Sequence, residues 1–74
     1  MKVELRVKEA LEERGMTQKA LADITGIRPA AISQLVRSYI ERLNLDHIER
    51  IANALEIKDI NELITLKEEN HQDN

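Results

Sequence analysis

Small and polar side chains suited to molecular recognition recur at helical spacing between positions 28 and 37 of this 74-residue chain. The set is Arg28, Ala30, Ala31, Ser33, Gln34 and Arg37. A glutamine amide can form two hydrogen bonds to adenine N6 and N7, and a guanidinium can bind guanine. These residue types indicate contacts to base edges and phosphates rather than the making and breaking of covalent bonds.

Two short helices are predicted to position these side chains within the segment Gln18–Arg37. Leu21 and Thr25 are four residues apart and share one helix face. Ile32 and Leu35 are three apart and face inward on the second helix. Each helix therefore has one buried stripe and one outward stripe.

The turn between these helices has its own signals. Gly26 tolerates the left-handed backbone that commonly ends a helix, and Pro29 fits the first helical turn, where its missing N–H is harmless. Ala22 is small enough for the second helix to pass close by, and Ile27 re-enters the core. Two short helices crossing steeply about such a turn present one helix face that fits the major groove of DNA.

The flanking segments predict further elements. Lys2–Arg6 alternates polar and apolar residues as a strand does, and Ile64–Lys67 has a similar character. These segments either pair with each other or each pairs with its copy in a dimer. A helix is predicted from Val7, with Val7, Ala10 and Leu11 on its buried face and Gly15 at its end.

The second half of the chain follows a connection, Arg37 to Leu43, that has no helix signature. Asn44 then supplies an N-cap and Asp46 a favourable negative charge in the first turn. The predicted buried stripe of that helix is Leu45, Ile48, Ile51, Ala52 and Leu55. Asp59 and Glu62 form a capping-box-like pair for a last short helix. Residues 68–74 are polar and are expected to be a disordered tail to a single domain of residues 1–67.

Composition and charge restrict the function. Tyr39 is the one aromatic residue, and there is no cysteine for a disulfide or a thiolate metal site. The formal net charge is −3, which is unusual for a DNA-binding protein. However, residues 1–42 hold eight Lys/Arg and six Asp/Glu, a net of +2, whereas residues 43–74 hold three and eight, a net of −5. The half that contains the two-helix segment is therefore mildly basic.

Catalysis, metal binding and membrane insertion are not expected. Acid–base catalysis needs a cleft that shifts pKa values, and a helical domain of this size offers little room for one. His47 and His71 have no metal-site spacing, so no metal and no cofactor is predicted. No apolar run approaches the length of a membrane span, and Met1 opens no signal-peptide pattern.

The chain resembles the lambda-repressor-like (Cro-type, Xre family) helix-turn-helix transcriptional regulators. Three segments carry the resemblance: Thr17–Ala22, Thr25–Ile27 and Ala31–Ser33. It extends to Arg14–Gln18 as the entry to the second helix, Leu45–Leu55 as the fourth helix and Asp59–Leu63 as the fifth. The resemblance implies an all-α, compact five-helix DNA-binding domain. It further implies a transcriptional regulator that acts as a repressor and is located in the cytoplasm, encoded by a bacterium or a phage. A short pairing of the terminal segments is compatible with that fold.

The resemblance also implies which residues contact double-stranded DNA: Thr17, Gln18, Lys19, Arg28, Pro29, Ala30, Ser33, Gln34, Arg37, Ser38 and Tyr39. Gln34 is the candidate for reading adenine, while Pro29 and Ala30 would pack on a thymine methyl. The arginines and Ser38 would bind phosphates, with Arg37 long enough to reach a guanine. The N-terminal amides of the preceding helix also favour a phosphate.

Each of these assignments has an alternative. The polar residues could be solvated surface, Arg37 could bridge to Glu41, and Tyr39 could pack its ring on the domain. Ile24 and Ile40 could be satellite core residues or a dimer contact. The same fold also serves in antitoxins and anti-repressor partners, so a protein-interaction module is the alternative function. A homodimer on an inverted repeat and a regulatory protein partner are both compatible with the resemblance.

Three positions depart from the family pattern. Arg28 replaces the usual Ser or Thr cap before the recognition helix, which predicts a loss of about 1 kcal/mol of helix stability. Glu56 occupies a helix end that commonly carries glycine, so a strained or different helix end is expected. Ser38 replaces a common glycine after the recognition helix.

Overall fold

The computed structural model describes residues 1–37 and 42–68 of the chain. The elements, in order, are β1 (Lys2–Leu5), α1 (Val7–Glu13), α2 (Gln18–Thr25), α3 (Pro29–Arg37), α4 (Leu45–Leu55), a 3₁₀ helix (Ile60–Glu62) and β2 (Ile64–Lys67). Five predictions fall outside the described residues: those for Ser38, for Tyr39 and for Ile40, the Arg37–Glu41 bridge, and the tail after Glu68.

The predicted fifth α-helix is instead a single 3₁₀ turn. Only Ile60–Glu62 is helical between α4 and β2, and the amide of Glu62 donates to the Asp59 carbonyl three residues back at 2.9 Å. Buried Leu63 follows immediately, so the chain must enter β2 without room for a longer helix. The described fold is therefore four α-helices and a short sheet, not five α-helices.

The terminal segments pair with each other within one chain, the first of the two options left open by the sequence. β1 and β2 are antiparallel, with Lys2 opposite Lys67 and Leu5 opposite Ile64. A further backbone bond from the Arg6 amide to the Leu63 carbonyl, 2.7 Å long, joins the ribbon to the helical body. The two-stranded ribbon thus closes the domain by joining its first and last elements.

The core is aliphatic and contains residues from every α-helix. Its members are Val7, Ala10, Leu11, Leu21, Ala22, Ile27, Ile32, Leu35, Ile48, Ile51, Leu55, Ile57 and Leu63. No polar side chain among the described residues is buried. The predicted inward faces of α1, α2 and α3 are all confirmed, as is the return of Ile27 to the core.

Leu45 departs from the predicted stripe of α4. It is 68 % exposed, whereas Ile48, Ile51 and Leu55 are buried and Ala52 packs partly against the core. Leu45 is the first residue of the helix, directly after the Asn44 cap. Helical periodicity predicts which face of α4 points inward. It does not predict how far along α4 the rest of the domain covers that face, and the exposed Leu45 shows that the first residue of the helix is not covered.

Both predicted caps in the second half form, but the capping box does not. The Asn44 side chain accepts from the His47 amide at 3.2 Å, and the Asp59 side chain accepts from the Asn61 amide at 2.9 Å. Among the described residues, the Glu62 side chain forms no hydrogen bond to the Asp59 amide, as a capping box would require. Its carboxylate accepts from Arg14 Nη2 at 3.4 Å, because the 3₁₀ turn packs beside the end of α1.

Glu56 ends α4 in the left-handed conformation, with φ 57° and ψ 41°. The Ile57 amide donates to the Ala52 carbonyl at 2.8 Å, which is the wider hydrogen bond of a Schellman motif, and the Ile57 side chain is buried. Glu56 is the one described non-glycine residue with positive φ. The strained helix end expected at this position is therefore confirmed.

Within the described part of the chain, no helix is both long and apolar enough to cross a membrane.

Candidate nucleic-acid interface

The interface begins at the N-terminus of α2. Thr17 has an extended backbone and its side-chain oxygen accepts from the Ala20 amide at 3.0 Å, so it is the N-cap residue rather than part of the first turn. Gln18 and Lys19 are the first two helical residues, and both are exposed. Their backbone amides lie in the first turn, where the helix dipole favours an anion such as a phosphate.

The α2–α3 turn is held by a threonine and a glycine. Gly26 has φ 75° and its amide donates to the Ala22 carbonyl at 2.8 Å, which confirms the predicted left-handed helix end. The Thr25 hydroxyl donates to the Leu21 carbonyl at 2.7 Å and accepts from the Ile27 amide at 3.2 Å. That hydroxyl therefore links the last turn of α2 to the residue that leads into α3.

An arginine from α4 supports the same turn. Arg50 Nη1 donates to the Thr25 carbonyl at 3.1 Å, and Arg50 Nε lies 3.0 Å from the Asp46 carboxylate. One guanidinium thus satisfies a carbonyl at the end of α2 while Asp46 orients it. Sequence reasoning missed this contact. The i,i+4 spacing of Asp46 and Arg50 signals their ion pair, but no local pattern indicates reach to Thr25, which is 25 residues away.

The outward face of α3 contains most of the proposed base-contacting residues. Pro29 begins the helix as predicted, and the first intrahelical bond runs from the Ile32 amide to the Arg28 carbonyl at 3.1 Å. Ala30 and Gln34 are exposed and Ser33 is half-buried beside them. Ala30, Ser33 and Gln34 share one face by their spacing, opposite the buried pair Ile32 and Leu35.

The charges around this face are mostly positive. Between positions 17 and 37 the chain has three cationic residues, Lys19, Arg28 and Arg37, and one acidic residue, Asp23. All three cationic residues are exposed. Within residues 1–37 and 42–68, neither Lys19 nor Arg28 forms an ion pair, whereas other arginines do. Lys19 and Arg28 are thus available to an external anion.

The structure brings most of the predicted contact residues to one region formed by the start of α2, the turn and α3. Those described are Thr17, Gln18, Lys19, Arg28, Pro29, Ala30, Ser33, Gln34 and Arg37. Ser38 and Tyr39 lie outside the described residues, so their contacts remain predictions. α2 and α3 pack against each other. The N-terminus of α2 favours an anion, and the outward face of α3 has one amide, small side chains and flanking cations, which suits a DNA backbone and groove.

Comparison with known proteins agrees with this geometry. The family model of the Cro/C1-type helix-turn-helix (HTH) DNA-binding domain matches residues 6–69, which is most of the chain. No curated protein and no solved structure matches the chain.

Proposed function

This chain belongs to the Cro/C1-type helix-turn-helix DNA-binding domain family, and we propose that it regulates transcription by sequence-specific binding of α3 in the major groove of double-stranded DNA. The observation that carries the proposal is the exposed face of α3 together with two exposed cationic side chains, Lys19 and Arg28, that form no ion pair within residues 1–37 and 42–68. Repression is the proposed outcome, because a domain seated on a promoter groove excludes polymerase. The proposed location is the cytoplasm of a bacterium or phage-infected cell.

Base and backbone contacts have separate roles in this proposal. Gln34 would read one base, most simply an adenine through its N6 and N7, while Pro29 and Ala30 would contact a thymine methyl. Arg28, Lys19 and the first amides of α2 would hold phosphates and so fix the register of α3 without reading sequence. Gln18 and Thr17, at the same helix end, are proposed phosphate contacts, as are Arg37 at the end of α3 and the two residues that follow it in the sequence, Ser38 and Tyr39.

A binding selection tests the proposal directly. The purified full chain is mixed with a random duplex library and the retained sequences are read. An enriched motif is the expected result, and its symmetry shows whether one or two chains bind. A folded protein that enriches no sequence would contradict the proposal.

Two substitutions then separate reading from docking. Gln34→Ala should relax the preference at one position of the motif, with a cost of about 1–3 kcal/mol at that base. Arg28→Gln should weaken all sequences alike and reduce the slope of log affinity against log salt by about 0.9. Asn53→Ala is the matched control, because Asn53 is an exposed amide on α4 and is not among the proposed DNA contacts. Equal base preferences for Gln34→Ala and the parent chain would remove Gln34 from the readout.

A second candidate function is a protein-interaction module, and exposed Ile24 favours it. Ile24 is 59 % exposed at the edge of a shallow depression that it forms with Thr25, Arg50, Asn53 and Ala54. Because this depression adjoins the end of α2, a regulatory protein bound there would contact Arg50, which donates to the Thr25 carbonyl at the α2–α3 turn. This alternative predicts little DNA affinity at moderate salt. It also predicts that Ile24→Ser loses binding of the partner protein.

A further inference from the structure

A shallow depression lies where the end of α2 meets the second half of α4. Its lining consists of Ile24 and Thr25 from α2 and Arg50, Asn53 and Ala54 from α4. It holds about 410 Å³ and is open to solvent rather than enclosed, whereas small-molecule sites bury most of the ligand's surface. The α2–α4 depression therefore suits side chains on the surface of a partner protein better than a free small molecule.

One part of this depression is apolar. Ile24 is 59 % exposed, and Ala54, which packs partly against the core, lies in the same lining. The inward-facing residues of α2 are Leu21 and Ala22, so the domain does not use Ile24 in its own core. A single exposed apolar residue is ordinary on a protein surface, but this one adjoins a second apolar group in a concave surface. An aliphatic side chain placed there removes apolar area of both proteins from water.

The other part of the depression has hydrogen-bond donors that the domain does not use. A guanidinium has five N–H donors. Arg50 Nη1 donates one of them to the Thr25 carbonyl at 3.1 Å, and Arg50 Nε lies 3.0 Å from the Asp46 carboxylate. Within residues 1–37 and 42–68, the second N–H of Nη1, both N–H groups of Nη2 and the Asn53 amide donate no hydrogen bond. Arg50 is thus held by two contacts and still has a free end.

The charges near the depression indicate which kind of group it accepts. Among the described lining residues Arg50 alone is charged, so a carboxylate is complementary to it. Asp23 and Glu49 are exposed nearby in the sequence, and Asp46 is already paired with Arg50. These acidic groups would repel a run of several carboxylates. The depression therefore favours one carboxylate rather than a strongly acidic surface.

We propose that the α2–α4 depression binds a segment of a partner protein that presents one aliphatic side chain and one carboxylate. The aliphatic side chain packs on Ile24 and Ala54. The carboxylate accepts from Arg50 Nη2 and from the second N–H of Nη1, so the bond from Nη1 to the Thr25 carbonyl stays in place. Paired charge-assisted bonds of this kind are stronger than neutral ones and fix the orientation of the carboxylate.

This inference rests on the protein partner proposed for the depression and names the chemistry of that partner. It does not require a loss of DNA binding, because no lining residue is among the proposed DNA contacts. The partner segment and a duplex therefore bind one chain at the same time, and the DNA-bound chain holds its partner at the DNA site. Partner binding is tested without DNA, so its failure and a failure of DNA binding are separate results.

The test is a selection from a displayed library of random peptides on the immobilised full chain, from which peptides that also bind Ile24→Ser are removed. The retained peptides should share an aliphatic residue and a single Asp or Glu. A synthetic copy of one of them should bind Ile24→Ser about tenfold more weakly than the parent chain. Ile60→Ser is the matched control, because Ile60 is 57 % exposed and does not line the depression. It should bind the peptide as the parent chain does.

A double-mutant cycle identifies the group that holds the carboxylate. Replacing the acid of the peptide by its amide should weaken binding to the parent chain about three- to tenfold, but should hardly change binding to Arg50→Gln. If Arg50 acted only by supporting the fold, the amide peptide would lose affinity equally for both chains. Asp46→Asn is the matched control. It keeps Arg50 and removes a competing carboxylate, so it should bind the acidic peptide at least as tightly as the parent chain.

Several results would overturn the proposal: no retained peptide, retained peptides without a shared acid, or equal effects of the amide on the parent chain and Arg50→Gln. Peptides that depend on Ile24 but not on an acid would overturn the carboxylate while leaving a protein partner at the depression. Fluorescence anisotropy of the selected duplex at saturating peptide tests simultaneous binding. DNA affinity should be unchanged, and release of the duplex by the peptide would contradict a joint complex.

Discussion

The α2–turn–α3 unit and the segment that closes the domain, Leu55–Lys67, share one kind of contact but use it for different purposes. In each, an arginine from another helix donates to a carbonyl at a helix end: Arg50 to Thr25 of α2, and Arg14 to Leu55 of α4, both at 3.1 Å. The surroundings differ. Arg50 is exposed and has one such carbonyl, while Arg14 is partly buried and also donates to Ala10 and Glu62.

The two regions also differ in how they use cations. The Arg14 guanidinium donates to three acceptors: Leu55 and Glu62 in the closing segment and Ala10 in α1. Lys19 and Arg28 of the α2–α3 unit, in contrast, form no ion pair among the described residues. Buried polar bonds that lose a partner cost more than exposed ones. The closing segment is thus where charge stabilises the fold, and the α2–α3 unit is where charge is left for a ligand.

The largest expected effect comes from Arg14→Met. The variant keeps much of the aliphatic bulk but leaves the Leu55 and Ala10 carbonyls without a donor, so the free energy of unfolding should fall by about 1–3 kcal/mol. Urea unfolding at constant temperature measures it. DNA affinity per folded molecule should not change, because Arg14 lies outside the proposed interface.

A loss of DNA affinity in folded Arg14→Met would break the comparison, since it would place the arginine's effect in both regions. Glu13→Gln is the control. It removes the 3.7 Å ion pair between Glu13 and Arg14. Because the Glu13 side chain is exposed, the free energy of unfolding should change by less than about 0.5 kcal/mol.

Gly26→Ala should have the next largest effect. Its φ of 75° is a conformation that costs an L-residue roughly 1–2 kcal/mol. Space is not the obstacle, because the nearest atom to an added Cβ would be Arg50 Nη1 at 3.7 Å, an ordinary contact. Thermal unfolding should show the loss, and Gly26→Asn should recover part of it because asparagine tolerates this backbone better. Equal losses for alanine and asparagine would mean that something other than backbone strain is responsible.

Local signals predicted the α2–α3 unit well because each acts through its own backbone. Gly26 adopts positive φ and Pro29 begins a helix, both through properties that neighbours hardly alter. The closing segment was predicted less well. Its helix is one 3₁₀ turn because the chain enters β2 directly after it, and the Glu62 side chain accepts from Arg14, which is 48 positions away in the sequence. The sequence predicted that the α3 residues share one exposed face. It did not predict the bonds from Arg50 to Thr25 and from Arg14 to Leu55, which join residues 25 and 41 positions apart.

Arg50→Met should produce a smaller loss of stability but a visible loss of DNA binding. Among the described residues, Arg50 forms one exposed hydrogen bond and one ion pair, so we expect the free energy of unfolding to fall by about 0.5–1.5 kcal/mol. Because the lost bond holds the end of α2, DNA affinity should also fall even though Arg50 lies outside the proposed contact surface. Fluorescence anisotropy with the selected duplex measures it.

The matched control for Arg50→Met is Asp46→Asn. This variant removes the ion pair but leaves the bond from Arg50 to the Thr25 carbonyl in place. DNA affinity should therefore be kept in Asp46→Asn. If both variants lower affinity equally, the helix-end bond is not the cause and the electrostatic field of the surface must be considered instead.

The smallest expected effect is a gain, from Glu56→Gly at the end of α4. The left-handed backbone costs glutamate roughly 1–2 kcal/mol of stability, which glycine would recover. Glycine also lowers stability by about 0.5–1 kcal/mol, because it raises the conformational entropy of the unfolded chain. The net gain in unfolding free energy should be about 0.5–1 kcal/mol, and it should appear in urea unfolding without a change in m. Glu56→Ala separates charge from strain, because it removes the carboxylate but keeps the strained Cβ. A gain equal to that of Glu56→Gly would show that the acidic surface of α4, and not the backbone at its end, limits the stability of the closing segment.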